Sequence, residues 1–221
     1  MIGRPEAAPS ATERGESTST GDLVDTPETW PVRRSVIAFR GGVVRMRVDH
    51  VEMPDGELAV RDVLVHPGAV GVMVLDDADR LLVIRQYRHP VGRRLWEIPA
   101  GLLDRPGEPR LAAAQRELAE EAHRVASDWR VLVDAYTSPG MSDEAVRIFV
   151  ARDAGPAPGD PTPGRHEEFD LELRWVPLAD VVRGVLRGDL HNPLLVMGAP
   201  ALQTVLAGPG LDGLRSGCTA G

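Results

Sequence analysis

The stretch that most constrains the fold lies at the centre of the chain, where short strand-like runs give way to one amphipathic helical pattern. A helix is expected over about 109–124, and Leu111, Ala114, Leu118, Ala122 and, just past its end, Val125 fall on a single stripe at 3.6 residues per turn. Before it, residues 70–75 and 81–84 are two apolar runs joined at Asp76-Asp77-Ala78-Asp79, which reads as a hairpin of well-buried strands. After it, strands are expected at 130–135, 145–151 and 171–176, and short helices at about 178–187 and 192–206. Strands and helices alternate along the chain, so the expected class is α+β. Hydrophobic residues at 43% supply a real core, and aromatics at 4% make it mainly aliphatic.

Upstream, Val36-Ile37-Ala38-Phe39, a Gly41-Gly42 turn and Val43-Val44-Arg45-Met46-Arg47-Val48 read as two strands. The turn at Pro54-Asp55-Gly56 leads into a third, with alternating Leu58, Val60, Val63 and Val65. A three-stranded meander cannot bury both faces alone, so it must pack on the rest of the chain or on a second copy. The expected organisation is a disordered tail at 1–30, a small antiparallel sheet domain at 31–66, the main domain at 67–207 and a flexible Gly-rich tail at 208–221. A Pro/Gly-rich stretch at 155–165 reads as a mobile connection.

The chain contains no lysine, so all 25 of its Lys+Arg residues are arginine. Lysine Schiff-base chemistry, a lysine base and a Gly-Lys-Ser/Thr phosphate loop are therefore excluded. Any anion must instead be gripped by the planar, permanently charged fork of arginine. A formal net charge of -8 argues against a nonspecific grip on nucleic acid. The single Cys218 fits a reducing compartment, and no apolar run approaches the roughly 20 residues of a membrane span. Arg4, Glu6, Glu13 and Glu16 interrupt the place where a signal peptide needs an apolar stretch. A soluble cytoplasmic protein is expected, with no membrane partner.

The central helix also carries charge. Glu117 and Glu121 are four residues apart along one edge of its apolar stripe, with Glu120 one step further round. Like charges at this spacing repel. A solvated acidic face tolerates that repulsion, and a hard divalent cation removes it by taking the carboxylates as oxygen ligands. On the wheel, Arg116 points away from both Glu117 and Glu121. Each of the six histidines lacks a partner at metal-ligand spacing.

Gly101, then Glu108, then Arg116-Glu117-Leu118-Ala119-Glu120-Glu121 resembles the signature box of the Nudix hydrolases. Two features depart from that box. Six residues rather than five separate Gly101 from Glu108, and His123-Arg124 replace the closing glycine and aliphatic residue, so the helix exit is expected to differ in shape. Arg85-Gln86-Tyr87-Arg88, the run from Trp96 to Gly101, and Ser138-Pro139-Gly140 resemble the ADP-ribose pyrophosphatase subgroup.

This resemblance implies an α/β/α sandwich with a mixed sheet, preceded by an N-terminal sheet domain exchanged in a homodimer. It implies metal-dependent cleavage of a nucleoside diphosphate-linked small molecule, with ADP-ribose giving AMP and ribose 5-phosphate. Another nucleotide sugar or dinucleotide is the alternative substrate, and a non-catalytic ADP-ribose-binding module the alternative class. By the same resemblance, Glu117, Glu121 and the Ala100 carbonyl hold Mg²⁺ (or Mn²⁺) with Glu120 assisting, while Glu108 pairs with Arg116. Glu167 is the expected base, with Glu168 close behind. Arg88 is expected on the phosphates, Glu97 is expected to bind the substrate, and Met141 and Glu144 line the sugar pocket.

Overall fold

The computed structural model describes residues 23–160 and 171–218. Its first unit is an antiparallel meander of β1 (Val32–Arg40), β2 (Arg45–Glu52) and β3 (Leu58–Val65), in that order across the sheet. One face leaves Val36, Phe39, Leu58 and Val60 exposed, with Phe39 at 57% and Leu58 at 58%. The other end of the meander is tied to the main body. Leu64 donates its N–H to the Met141 carbonyl at 2.8 Å and accepts the Ser142 hydroxyl at 3.2 Å, while the His66 N–H meets Asp143 Oδ1 at 2.8 Å.

The main body contains β4 (Ala69–Val74), β5 (Arg80–Arg88), β6 (Arg93–Glu97), β7 (Ala100–Leu102), α1 (Arg110–Ala122), β8 (Arg124–Val125), β9 (Asp128–Tyr136), β10 (Ala145–Arg152) and β11 (Gly155–Pro156). These are followed by β12 (Glu172–Pro177), α2 (Leu178–Leu186), α3 (Pro193–Ala207) and β13 (Arg215–Ser216). A five-stranded mixed sheet runs β13-β9-β10-β4-β7, with β4 and β10 parallel and its other pairs antiparallel. A second sheet runs β12-β5-β6, and β8 pairs with β11.

β4 is buried along its whole length, as its unbroken apolar sequence requires of a strand covered on both faces. Its alternate residues enter different cores. Val70, Val72 and Val74 pack with Ala114 and Leu118 of α1, while Met73 packs with Leu178 of α2 and Leu195 and Leu202 of α3. Helices therefore cover both sides of the sheet, as an α/β/α sandwich demands.

Three sequence expectations are corrected here. β4 and β5 do not form a hairpin: a single bridge, Leu75 to Leu81, joins them before they diverge into different sheets. The stretch from Gly208 does not stay structureless as far as residue 218. Arg215 pairs with Val131 and Ser216 with Arg130 of β9, the Gly217 N–H bonds the Trp129 carbonyl at 2.8 Å, and Arg215 holds Asp134 at 2.7 Å. The start of the Pro/Gly-rich stretch is likewise paired, Gly155 to Val125 and Pro156 to Arg124.

Candidate active site

β7 is the end strand of the mixed sheet, and α1 runs beside it. Val72 N–H bonds the Pro99 carbonyl at 2.8 Å and Leu103 N–H bonds the Gly68 carbonyl at 3.0 Å. Alternation in an antiparallel ladder then makes Gly71 and Ala100 a pair without mutual hydrogen bonds. Both polar backbone groups of Ala100 therefore point out of the sheet along its open edge. The N–H is taken by Glu121 Oε2 at 2.8 Å, and the carbonyl shares that edge.

Glu117, one turn earlier on α1, lies against the Cα of Gly101. A Cβ at Gly101 would sit 1.9 Å from its Cδ, so only glycine leaves room for this carboxylate. Arg116 NH1 donates to Glu117 at 2.5 Å and to Glu120 at 3.3 Å, while its Nε and NH2 clasp Glu108 at 3.1 and 3.0 Å. The wheel placed Arg116 away from Glu117, and that reading is corrected, because the long side chain curls back over its neighbour. The Glu108–Arg116 pair is present as expected. Glu120 is half exposed and also faces Arg105 at 3.6 Å.

Electrostatics separate these carboxylates. The hydrogen bond from Arg116 holds Glu108 below the usual carboxylate range, and Arg116 is itself raised, chiefly by that same bond. Glu117 is pushed up by burial, which Arg116 only partly offsets, and Glu120 and Asp104 add like charge. Its ionised form is therefore short of positive charge. Among the described residues no three acidic or histidine side chains converge on one point, since Glu117 lies on Arg116 and Glu121 on Ala100. The donors along this edge are nonetheless all hard oxygens, and a desolvated, under-compensated glutamate fits a divalent cation in kind.

On the second sheet, Arg88 closes a bidentate pair with Glu97, Nε to Oε1 at 2.9 Å and NH2 to Oε2 at 2.6 Å. Glu97 is 1% exposed, so a buried carboxylate fixes the plane of the guanidinium. Only Ile98 and Pro99 separate Glu97 from Ala100. Met141 and Glu144 sit at the junction with the meander. Met141 is exposed, and Glu144 accepts the Thr137 hydroxyl and faces His66 Nδ1 at 3.6 Å. That ring nitrogen also accepts the Gly68 N–H at 3.0 Å. Glu167 and Glu168 lie outside the described residues.

Residues 65–194 match the family described as NUDIX domain. The chain belongs to the NUDIX family. It is 45% identical over 168 residues to an ADP-ribose pyrophosphatase of Mycobacterium tuberculosis, spanning 76% of this chain and 80% of that protein. It is 32% identical over 165 residues to a methanol dehydrogenase activator of Bacillus methanolicus, spanning 75% and 88%. A solved structure of an ADP compounds hydrolase superposes with a TM-score of 0.69 at 23% identity, covering 85% of this chain and 99% of that one, which shows a shared fold. No helix among the described residues is long and apolar enough to cross a membrane.

Both departures from the Nudix box have a structural account. The extra residue is absorbed in a turn closed by Glu108 N–H on the Arg105 carbonyl at 3.1 Å, which still delivers Glu108 to Arg116. The expected change at the helix exit is corrected. His123 adopts φ 49°, ψ 46°, the left-handed cap geometry that glycine would have supplied, and its N–H bonds the Leu118 and Ala119 carbonyls. Sequence reasoning missed Glu97 as the anchor of Arg88 and missed Gly101 as the seat of Glu117, because both depend on strand register.

Proposed function

We propose that this Nudix protein hydrolyses the diphosphate of ADP-ribose to AMP and ribose 5-phosphate with Mg²⁺, as a cytoplasmic homodimer. The observation that carries the reading is the shared edge of Ala100, Glu117 and Glu121, three positions along the chain from an arginine-binding glutamate. Glu117, Glu121 and the Ala100 carbonyl would hold the cation, with Glu120 assisting from its exposed position. When bound, the cation supplies charge to the diphosphate oxygens and acidity to a water.

The protein's own groups do the rest. Arg88, held in plane by its two bonds to Glu97, would meet a phosphate oxygen with an already oriented guanidinium. Glu167, or else Glu168, takes the proton from the attacking water. Met141 and Glu144 line the sugar pocket from the junction with the meander. The apolar face bearing Val36, Phe39, Leu58 and Val60 is the surface a second copy would cover.

Purified protein incubated with ADP-ribose and Mg²⁺ should release AMP and ribose 5-phosphate, identified by chromatography. Replacement of Glu121 by Gln should lower kcat by at least about a hundredfold while leaving the melting temperature nearly unchanged. Cleavage of other nucleotides with ADP-ribose left intact would refute the substrate, and full activity in Glu121→Gln would refute the metal edge.

A further inference from the structure

Gln86 is 4% exposed, yet its side chain makes no hydrogen bond with any described residue. The side-chain polar atoms among the described residues that are both sealed and unpaired belong to Asp49, Arg85, Arg130 and Arg152. Neither amide atom of Gln86 is therefore sealed. Its stem is buried, and the little surface it shows includes both the donor and the acceptor of the amide.

Register places that amide. Ile84 opposes Glu97, Gln86 opposes Leu95 and Arg88 opposes Arg93, and directly opposed residues share a face. Gln86 thus stands in the row between Arg88 and Glu97, and the Arg88 side chain must pass over that row to reach Glu97. The intervening Arg85 and Trp96 lie on the opposite face, where the guanidinium stands 5.5 Å from the indole centroid.

An amide that has no protein partner among the described residues yet is open at both ends is free to pair with an incoming ligand that offers a matching donor and acceptor. Phosphate oxygens at neutral pH only accept and would leave the amide oxygen facing negative charge. A pair of neighbouring hydroxyls both donates and accepts, which matches the two ends of the amide.

We propose that Gln86 is a specificity-determining residue whose amide pairs with a vicinal hydroxyl pair on a pentose of the substrate, beside the phosphate gripped by Arg88. This rests on the diphosphatase reading above. The diol has two possible sources, the nucleoside ribose and the terminal ribose.

Calorimetric titration of the full chain in EDTA, which prevents turnover, separates the sources and tests the idea. The ligands are ADP-ribose, ADP, ribose 5-phosphate and inorganic pyrophosphate, each added to wild type and to Gln86→Met. The variant should bind ADP-ribose about tenfold more weakly, as expected for one lost hydroxyl–amide pairing. It should show the same loss with ADP if the nucleoside diol is read, or with ribose 5-phosphate if the terminal diol is read. Pyrophosphate affinity should be unchanged, as should the melting temperature, because methionine keeps the volume of the buried stem.

Equal weakening of pyrophosphate would overturn the proposal, as would unchanged affinities throughout or a marked fall in melting temperature. Wild-type protein that binds ADP-ribose with this dependence on Gln86, but leaves it uncleaved once Mg²⁺ is restored, would sink the hydrolase reading alone. Failure of the wild type to bind ADP-ribose, ADP and ribose 5-phosphate would sink both.

Discussion

Replacing Gly101 by alanine tests the proposed site at its tightest point. The added Cβ would lie 1.9 Å from Cδ, 2.1 Å from Oε1 and 2.4 Å from Cγ of Glu117, where carbon atoms settle at about 3.5–4.0 Å. Gly101 does not have positive φ, so alanine fits its backbone and the clash alone is introduced. Glu117 must then swing away by roughly 1.5 Å or more, which breaks its 2.5 Å contact with Arg116. Losing a charge-assisted hydrogen bond costs about 1.5–3 kcal/mol. Release of a carboxylate that burial disfavours returns part of that, leaving about 1–2 kcal/mol. For a chain of 221 residues this lowers the melting temperature by about 2–8 °C. The functional loss should be larger, because a displaced ligand carboxylate lowers activity and metal affinity by about 10–100-fold each. A coupled assay of ADP-ribose cleavage against Mg²⁺ concentration should show lower kcat/KM and a higher Mg²⁺ requirement, and calorimetry gives the melting temperature. Activity within threefold of wild type at an unchanged Mg²⁺ requirement would refute the placement of Glu117.

Two further outcomes follow from local geometry. His123→Gly relieves a left-handed residue, worth about 1–2 kcal/mol, against an unfolded-state entropy cost of about 0.4–1 kcal/mol, so thermal denaturation should show a melting temperature raised by up to about 6 °C, and not lowered, with activity unchanged. Burial alone would raise Asp134, but hydrogen bonds from Arg147 and Arg215 outweigh it and hold the carboxyl below the usual range. Its contribution is thus present above the unfolded pKa of about 3.9 and lost as pH falls through the lower folded value. Asp134→Asn should cost about 1 kcal/mol at pH 6 after discounting for partial exposure, and urea denaturation should find that difference shrinking below pH 4.

The box helix was legible because its stripe repeats at helical spacing: Ala114, Leu118 and Ala122 are all buried in the core that α1 shares with β4. Val125 fits the same wheel yet is 44% exposed, because the helix ends at Ala122 and Val125 belongs to β8. Apolar runs identified strands but could not assign partners. β4 and β5 look like a hairpin in sequence, and only tertiary pairing with β10 and β12 separates them. The position of Arg116 was misread for a related reason. A wheel fixes the direction of Cβ, whereas a long arginine stem can double back and bring its head to Glu117 and Glu108 together. The Arg88–Glu97 pair needed the β5–β6 register, which no spacing rule supplies.

These pieces come together at a seam. Ile98, fully buried, pins the chain where it leaves the β12-β5-β6 sheet and enters the mixed sheet as β7. On one side of it Glu97 fixes Arg88, and on the other Ala100 and Gly101 seat Glu121 and Glu117. The proposed cation-binding edge and the arginine proposed to meet the phosphates are therefore set by one short stretch of backbone. Each charge is meanwhile held by a protein counter-ion, Arg88 by Glu97 and Glu117 by Arg116. Arg116 divides one guanidinium among three glutamates, and Arg88 meets both oxygens of one. A lysine ammonium has three donors and no fixed plane, so it could not hold either arrangement with the same orientation. The absence of lysine is thus compatible with this site in a specific way: both cations at the seam work through planar, multiply bonded forks.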